Sequence, residues 1–192
     1  DVSSAAVTRT ITVVPVNDVP VLANVESDSL AYTENDAAQI VSPNITVSDL
    51  DWLTDATLET ATVTISSGLR DGDVLTYTGD VGGIAATYDA SSGVLSLSGG
   101  VPPSAWQTAL RSVTYSSWSE DPTGTQVASD RTVTFVISDG NASSPAVSRT
   151  VVVTPVNDVP VLANIENATT ATVTVVDNTA SAAGYHTTTT TT

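Results

Sequence analysis

The chain has 192 residues and no cysteine, which excludes disulfide frameworks, thiol nucleophiles and thiolate metal sites. Its formal net charge is -16, from 21 acidic residues against five cations, all of them arginine. That balance excludes a nucleic-acid backbone as partner, because phosphate contacts need Lys and Arg, and it disfavours anionic membrane surfaces. What it suits is divalent cations or a high-salt environment, and the placement of the acids favours cations.

Taken from the N-terminus, residues 1–15 carry the alternation of a β-strand and lead into a Val-Asn-Asp-Val-Pro linker at residues 16–20. Val- and Thr-rich segments with period-two alternation then predict strands over residues 29–33, 44–48, 60–65, 74–77, 94–97, 113–115, 131–137 and 146–153. Turn pairs separate them: Asp71-Gly72, Gly82-Gly83, Ser92-Gly93, Gly99-Gly100 and Asp139-Gly140. One segment departs from this pattern. Trp106, Leu110 and Val113 recur at helical spacing behind Pro102-Pro103-Ser104, which predicts a short helix starting at Pro103 or Ser104. Short strands joined by glycine turns predict an all-β sandwich.

The linker then returns. Residues 8–26 read TRTITVVPVNDVPVLANVE and residues 148–166 read SRTVVVTPVNDVPVLANIE, an offset of 140 residues from Asn17 to Asn157. An unbroken VNDVPVLAN string at a fixed offset marks a tandem repeat. The expected organisation is the final strand of a preceding repeat over residues 1–15 and one complete repeat over 16–156. The start of a following repeat would occupy 157–180, and a low-complexity Thr-rich tail 181–192.

The stretch TVTFVISDGNASSPAVSRTVVVTPVNDVP resembles the end of a cadherin repeat: strand, Asp-x-Gly, strand, and an Asn-Asp linker closing on Pro. Tyr32-Thr33-Glu34-Asn35 resembles the Glu-Asn opening of such repeats, and Ile45 to Asp51 (ITVSDLD) their Asp-x-Asp strand end. Tyr88 to Leu97 (YDASSGVLSL) is similar to the strand–Asp–Gly–strand segment that follows. With its VNDVPVL linker and repeat size, residues 16–166 resemble most closely the cadherin-like repeats of large bacterial surface adhesins of the RTX type. The fold implied is a cadherin/immunoglobulin-like β-sandwich with one short helical insertion. The Leu-Asp-Arg-Glu motif of animal cadherins is missing, since Leu97 is followed by Ser98-Gly99-Gly100. One or two ions per junction are therefore expected in place of three.

The resemblance implies calcium as the bound ion. Calcium takes six to eight oxygens from carboxylates, amides, carbonyls and water, and the acids here favour strand ends and linkers. Asp49 and Asp51, one residue apart, can leave a strand on one face. By resemblance they converge with Asn17, Asp18 and Asp139 at the N-terminal junction, while Glu34, Asn157 and Asp158 belong to the C-terminal one. Asp71, Asp73, Asp121 and Asp130 read instead as turn or surface acids. Trp52, Trp106 and Trp118 read as core or junction cover in preference to a sugar-stacking platform.

Enzyme chemistry finds no footing. His186, the only histidine, lies in the Thr-rich tail, and there is no Lys for a phosphate loop. Two functional expectations result. One is a calcium-stiffened spacer repeat in an extracellular bacterial cell-surface or secreted adhesin, serving adhesion or biofilm formation. The alternative is a subunit of an extracellular filament or sheath assembled by strand addition. The expected partners are adjacent copies of the repeat, in the same chain or in neighbouring subunits, with cell-surface or matrix glycans as a further candidate. Neither nucleic acid nor membrane insertion is expected.

Overall fold

In a strand, successive side chains point to opposite faces, so a run such as Val-Thr-Phe-Val-Ile buries every second residue. The computed structural model follows that rule; it describes residues 1–53 and 57–159. Contacts divide the chain into residues Asp1–Asn157 and Asp158–Thr192. The second unit is described only at Asp158 and Val159, so the expected following repeat and tail lie largely outside the described residues.

Among its described residues the first unit has eleven strands and one α-helix: β1 (Val21–Ala23), β2 (Leu30–Thr33), β3 (Gln39–Ile40), β4 (Thr46–Ser48), β5 (Leu58–Ser67), β6 (Asp73–Tyr77), β7 (Ala85–Asp89), β8 (Val94–Val101), α1 (Pro103–Arg111), β9 (Val113–Ser117), β10 (Ser129–Ser138) and β11 (Val147–Thr154). A 3-10 turn, Leu50–Leu53, follows β4. The strands form a six-stranded sheet in the order β2-β11-β10-β5-β8-β7, a three-stranded sheet β3-β9-β6 and the pair β1-β4. Most pairings are antiparallel, but β2 lies parallel to β11, with Leu30 opposite Val151 and Thr33 opposite Thr154. The protein is thus mostly β with one short helix, consistent with an all-β sandwich. Among the described residues no helix is long and apolar enough to cross a membrane.

Inward residues of all the sheets meet in one core. Val63 and Ile65 of β5, Val133, Phe135 and Ile137 of β10, and Val151 and Val153 of β11 are buried there with Leu75, Leu95, Leu97 and Tyr115. Each large apolar side chain contributes roughly 1.5–3 kcal/mol on burial. Helix α1 begins at Pro103, where proline's missing N–H costs nothing, and buries Trp106, Ala109 and Leu110. The Trp106 indole N–H donates to the Leu58 carbonyl at 2.8 Å.

Two arginines occupy inward positions of strands. Arg149 of β11 donates to the carbonyls of Val41 (2.8 Å) and Asp28 (3.0 Å). Arg131 of β10 lies 2.6 Å from the Asp73 carboxylate, and both side chains are buried. This corrects the expectation for Asp73. Its Asp-Gly-Asp setting looks like a solvated turn, yet the β10 partner stands 58 residues away and draws the carboxylate into the core. The other Asp73 oxygen accepts the Tyr115 hydroxyl at 2.6 Å.

Burial, then the Asp73 hydrogen bond and charge, push the Tyr115 hydroxyl well above the ordinary tyrosine value. A raised folded-state pKa means stability is complete below the unfolded tyrosine value near 10 and falls as pH rises beyond it. Denaturant titrations between neutral pH and roughly pH 11 are expected to show that decline setting in above about pH 10. Tyr115→Phe should flatten it; an unchanged slope would contradict the assignment.

Candidate functional site

The two acidic groupings of the first unit sit at opposite ends of its strands. At one end β4 finishes and β10 turns into β11. A short side chain such as Asp or Asn folds back readily on nearby backbone N–H groups, and Asp139 does so in this turn. One of its oxygens accepts from the N–H groups of Asn141 (2.7 Å) and Ala142 (2.6 Å). The other accepts from the Asn17 amide at 3.0 Å, and Asn17 in turn accepts from the Asn141 side chain at 3.2 Å. Burial acts to raise the Asp139 pKa, but the donors from Ala142, Asn17 and Asn141 outweigh it and hold the carboxyl below its usual value.

Asp49 accepts the Asp51 N–H at 2.9 Å, opening the 3-10 turn, and Asp51 accepts the Asp18 N–H. Asn17 and Asp139, and likewise Asp18, Asp51 and Asp49, are thereby joined through hydrogen bonds at this end. Their carboxylates are spaced more widely than a preformed ion cage: no three of Asp18, Asp49, Asp51 and Asp139 gather ligand atoms within 4.8 Å of one another.

The opposite end is built around Glu34. Strand β2 closes in a tight turn in which Asn35 takes a left-handed conformation (φ 68°), one that Asn tolerates better than most residues. The Asp36 carboxylate accepts the Thr33 N–H at 2.9 Å and stabilises that turn. The Glu34 N–H donates to the Thr154 carbonyl at 2.9 Å, and its carboxylate accepts the Val156 N–H at 2.7 Å. Glu34 therefore grips the backbone just where β11 gives way to the second Asn-Asp linker.

Its second carboxylate oxygen, Oε1, is buried and has no hydrogen-bond partner, in a residue only 4% exposed. An orphaned, buried anionic oxygen is costly. Glu120, on the loop after β9, brings a carboxylate oxygen within 4.8 Å of a carboxylate oxygen of Glu34. Tyr32 holds the two loops together. Its hydroxyl lies 3.1 Å from both the Asp36 and Ser117 carbonyls and accepts the Ser117 N–H at 3.0 Å. A buried carboxylate with one oxygen lacking a proton donor, and with a second carboxylate nearby, is a chemical setting a metal ion could complete.

Glu120 has no motif that marks it in the sequence; only the pairing of β9 with its neighbours and the Tyr32 clamp bring it to Glu34. Asn157 ends the first unit and Asp158 begins the second, and both are exposed. Trp106 is core, whereas Trp118 is 67% exposed near Glu120 in sequence and so departs from the core reading. The Trp52 side chain lies outside the described residues. No protein-family model matches the chain, and neither the curated proteins nor the solved structures contain a match to it.

Proposed function

We propose that this protein is a calcium-stiffened structural repeat of an extracellular bacterial adhesin, a cadherin-like β-sandwich that acts as a spacer in adhesion or biofilm formation. The observation that carries the reading is the buried Glu34 oxygen without a partner beside Glu120. A hard divalent cation is the natural complement of such oxygens, and calcium accepts irregular, partly hydrated oxygen shells. Glu34 and Glu120 would hold it at this end; Asn17, Asp18, Asp49, Asp51 and Asp139 are the oxygen donors at the other, each end adjoining an Asn-Asp linker. The ion supplies positive charge where carboxylates otherwise repel one another. Because Glu34 also accepts the Val156 N–H, an ion held there would sit where β11 passes into the linker. A chain of net charge -16 gains further from each bound cation through reduced self-repulsion.

An ion that binds only the folded state at about one hundred times its Kd stabilises by roughly 2.7 kcal/mol. For a unit of this size that corresponds to a rise in melting temperature of roughly 5–10 °C. Melting in calcium against chelator is expected to show it, and Glu34→Gln to remove most of it. In chelator the Glu34→Gln variant should melt at or above the parent, since it keeps an acceptor for Val156 and loses an uncompensated charge. Identical melting of the parent in calcium and chelator would end this reading. The alternative, a subunit of an extracellular filament or sheath assembled by strand addition between neighbours, draws on the likeness of residues 8–14 to β11.

A further inference from the structure

Glu120 is an exposed acid on a loop that is fastened from the inside. Surface loops are ordinarily the mobile parts of a fold, yet residues 117–124 are tied at three places around Glu120. The Ser117 N–H donates to the buried Tyr32 hydroxyl at 3.0 Å, and the same hydroxyl lies 3.1 Å from the Ser117 carbonyl. The Trp118 N–H donates to the Gly72 carbonyl at 3.1 Å. Beyond Glu120, the Pro122 carbonyl accepts from the Arg131 guanidinium at 2.6 Å, and Pro122 and Thr123 are buried. Inside the loop, the N–H groups of Ser119, Asp121 and Gly124 donate to the side chains of Ser117, Ser119 and Asp121 in turn.

The first and last of these ties belong to one buried chain of contacts. Tyr32 meets Tyr115 edge to face, with 5.0 Å between ring centres. Tyr115 donates to Asp73, and Asp73 pairs with Arg131. Aromatic pairs of this geometry and satisfied polar networks hold their members in a single arrangement. The Tyr32 hydroxyl also lies 3.1 Å from the Asp36 carbonyl, in the turn that follows Glu34. The chain thus runs through the core from the Glu34 turn to the loop of Glu120. Its two ends carry acids whose carboxylate oxygens come within 4.8 Å of each other.

We infer that Glu120 is a preset oxygen ligand for a hard cation held by Glu34, and that Tyr32 is the residue that positions it. Tyr32 itself touches no ion; its hydroxyl fixes Ser117 against the Glu34 turn, and with it the loop. Groups ordered in advance lose less freedom when they bind. Residues that orient a metal's ligands commonly alter its affinity by about ten- to one hundredfold. The inference rests on the cation reading of this end of the unit and adds the residue that tunes its affinity.

Terbium, a hard oxygen-seeking cation, is the probe, because the exposed Trp118 stands two residues from Glu120 and can sensitise its luminescence. On the full chain, the part of the signal that Trp118→Phe removes reports this end, and added calcium competes for it. Tyr32→Phe keeps the ring against Tyr115 and is expected to weaken binding about tenfold. Glu120→Gln should weaken it at least as much, and the double variant no further than Glu120→Gln alone, since the hydroxyl acts through Glu120. Tyr77→Phe removes a hydroxyl that accepts the Val81 N–H, at the end of β6 away from Asp73, and should leave binding unchanged. Glu120→Asp, at an exposed position, examines the loop without disturbing the core. A fastened loop cannot follow the shorter side chain, so this variant should bind as weakly as Glu120→Gln. Parent-like binding by Tyr32→Phe or by Glu120→Asp, or additive losses in the double variant, would overturn the inference and leave the cation reading standing. No Trp118-dependent signal from the parent, together with identical melting in calcium and chelator, would sink both.

Discussion

Arg131→Met is expected to destabilise the fold by about 3–5 kcal/mol, because it strands the Asp73 carboxylate in the core without its counter-ion. The geometry leaves little room for rescue. The ion pair is 2.6 Å long with both side chains almost fully buried. Arg131 also donates to Ser129 (2.8 Å) and to the Pro122 carbonyl (2.6 Å). Asp73 in turn receives the Arg70 N–H at 2.8 Å and the Tyr115 hydroxyl at 2.6 Å. Removing the cation therefore breaks a satisfied network and leaves a charge buried in the core. Asp28→Asn is the contrasting case: its contact with Arg149 is 3.4 Å long and the Asp28 side chain is 78% exposed, so a loss under about 1 kcal/mol is expected. Urea titration of the two variants measures both. Because residues of one network do not act independently, Asp73→Asn combined with Arg131→Met should cost less than the sum of the single changes.

Trp106→Ala is expected to cost a similar amount, about 3–5 kcal/mol, for a different reason. Trp106 is among the largest fully buried side chains and joins α1 to the core under β5. Truncation opens a cavity and also leaves the Leu58 carbonyl without the indole N–H that it accepts at 2.8 Å. The register of β5 against β8 shifts between Leu58 and Thr60, so the ladder is irregular where the indole attaches. Trp106→Phe keeps much of the packing and loses the donor. Its loss should be clearly smaller than that of the alanine variant, and equal losses would mean that the hydrogen bond dominates.

Strands with strong alternation were readable in the sequence because Val, Ile and Phe recur on one face; β5, β10 and β11 are of this kind. The helix was equally legible from its proline start and the spacing of Trp106 and Leu110. Strands β1 and β3 were not, being three and two residues long, too short for a period to show. Strand β7 (AATYD) is a sheet edge with small, largely exposed side chains, and only the likeness of YDASSGVLSL to a known segment hinted at it. Charge burial was the least legible property. Local sequence distinguishes neither Asp73, which is core, from Asp71, which is exposed, nor Glu120 from any other loop acid. In each case the deciding neighbour is distant along the chain: Arg131 for Asp73, and Glu34, across the Tyr32 clamp, for Glu120.

The parallel pairing of β2 with β11 has a mechanical consequence. When tension pulls β2 backward from its start and β11 forward from its end, the two strands are drawn past each other along their length. The load then falls on the hydrogen bonds between Leu30–Thr33 and Val151–Thr154 together, where a hairpin peeled from its open end would lose them one at a time. The hydrogen bond from the Val156 N–H to the Glu34 carboxylate lies at the margin of that same seam and adds to the bonds that share the load.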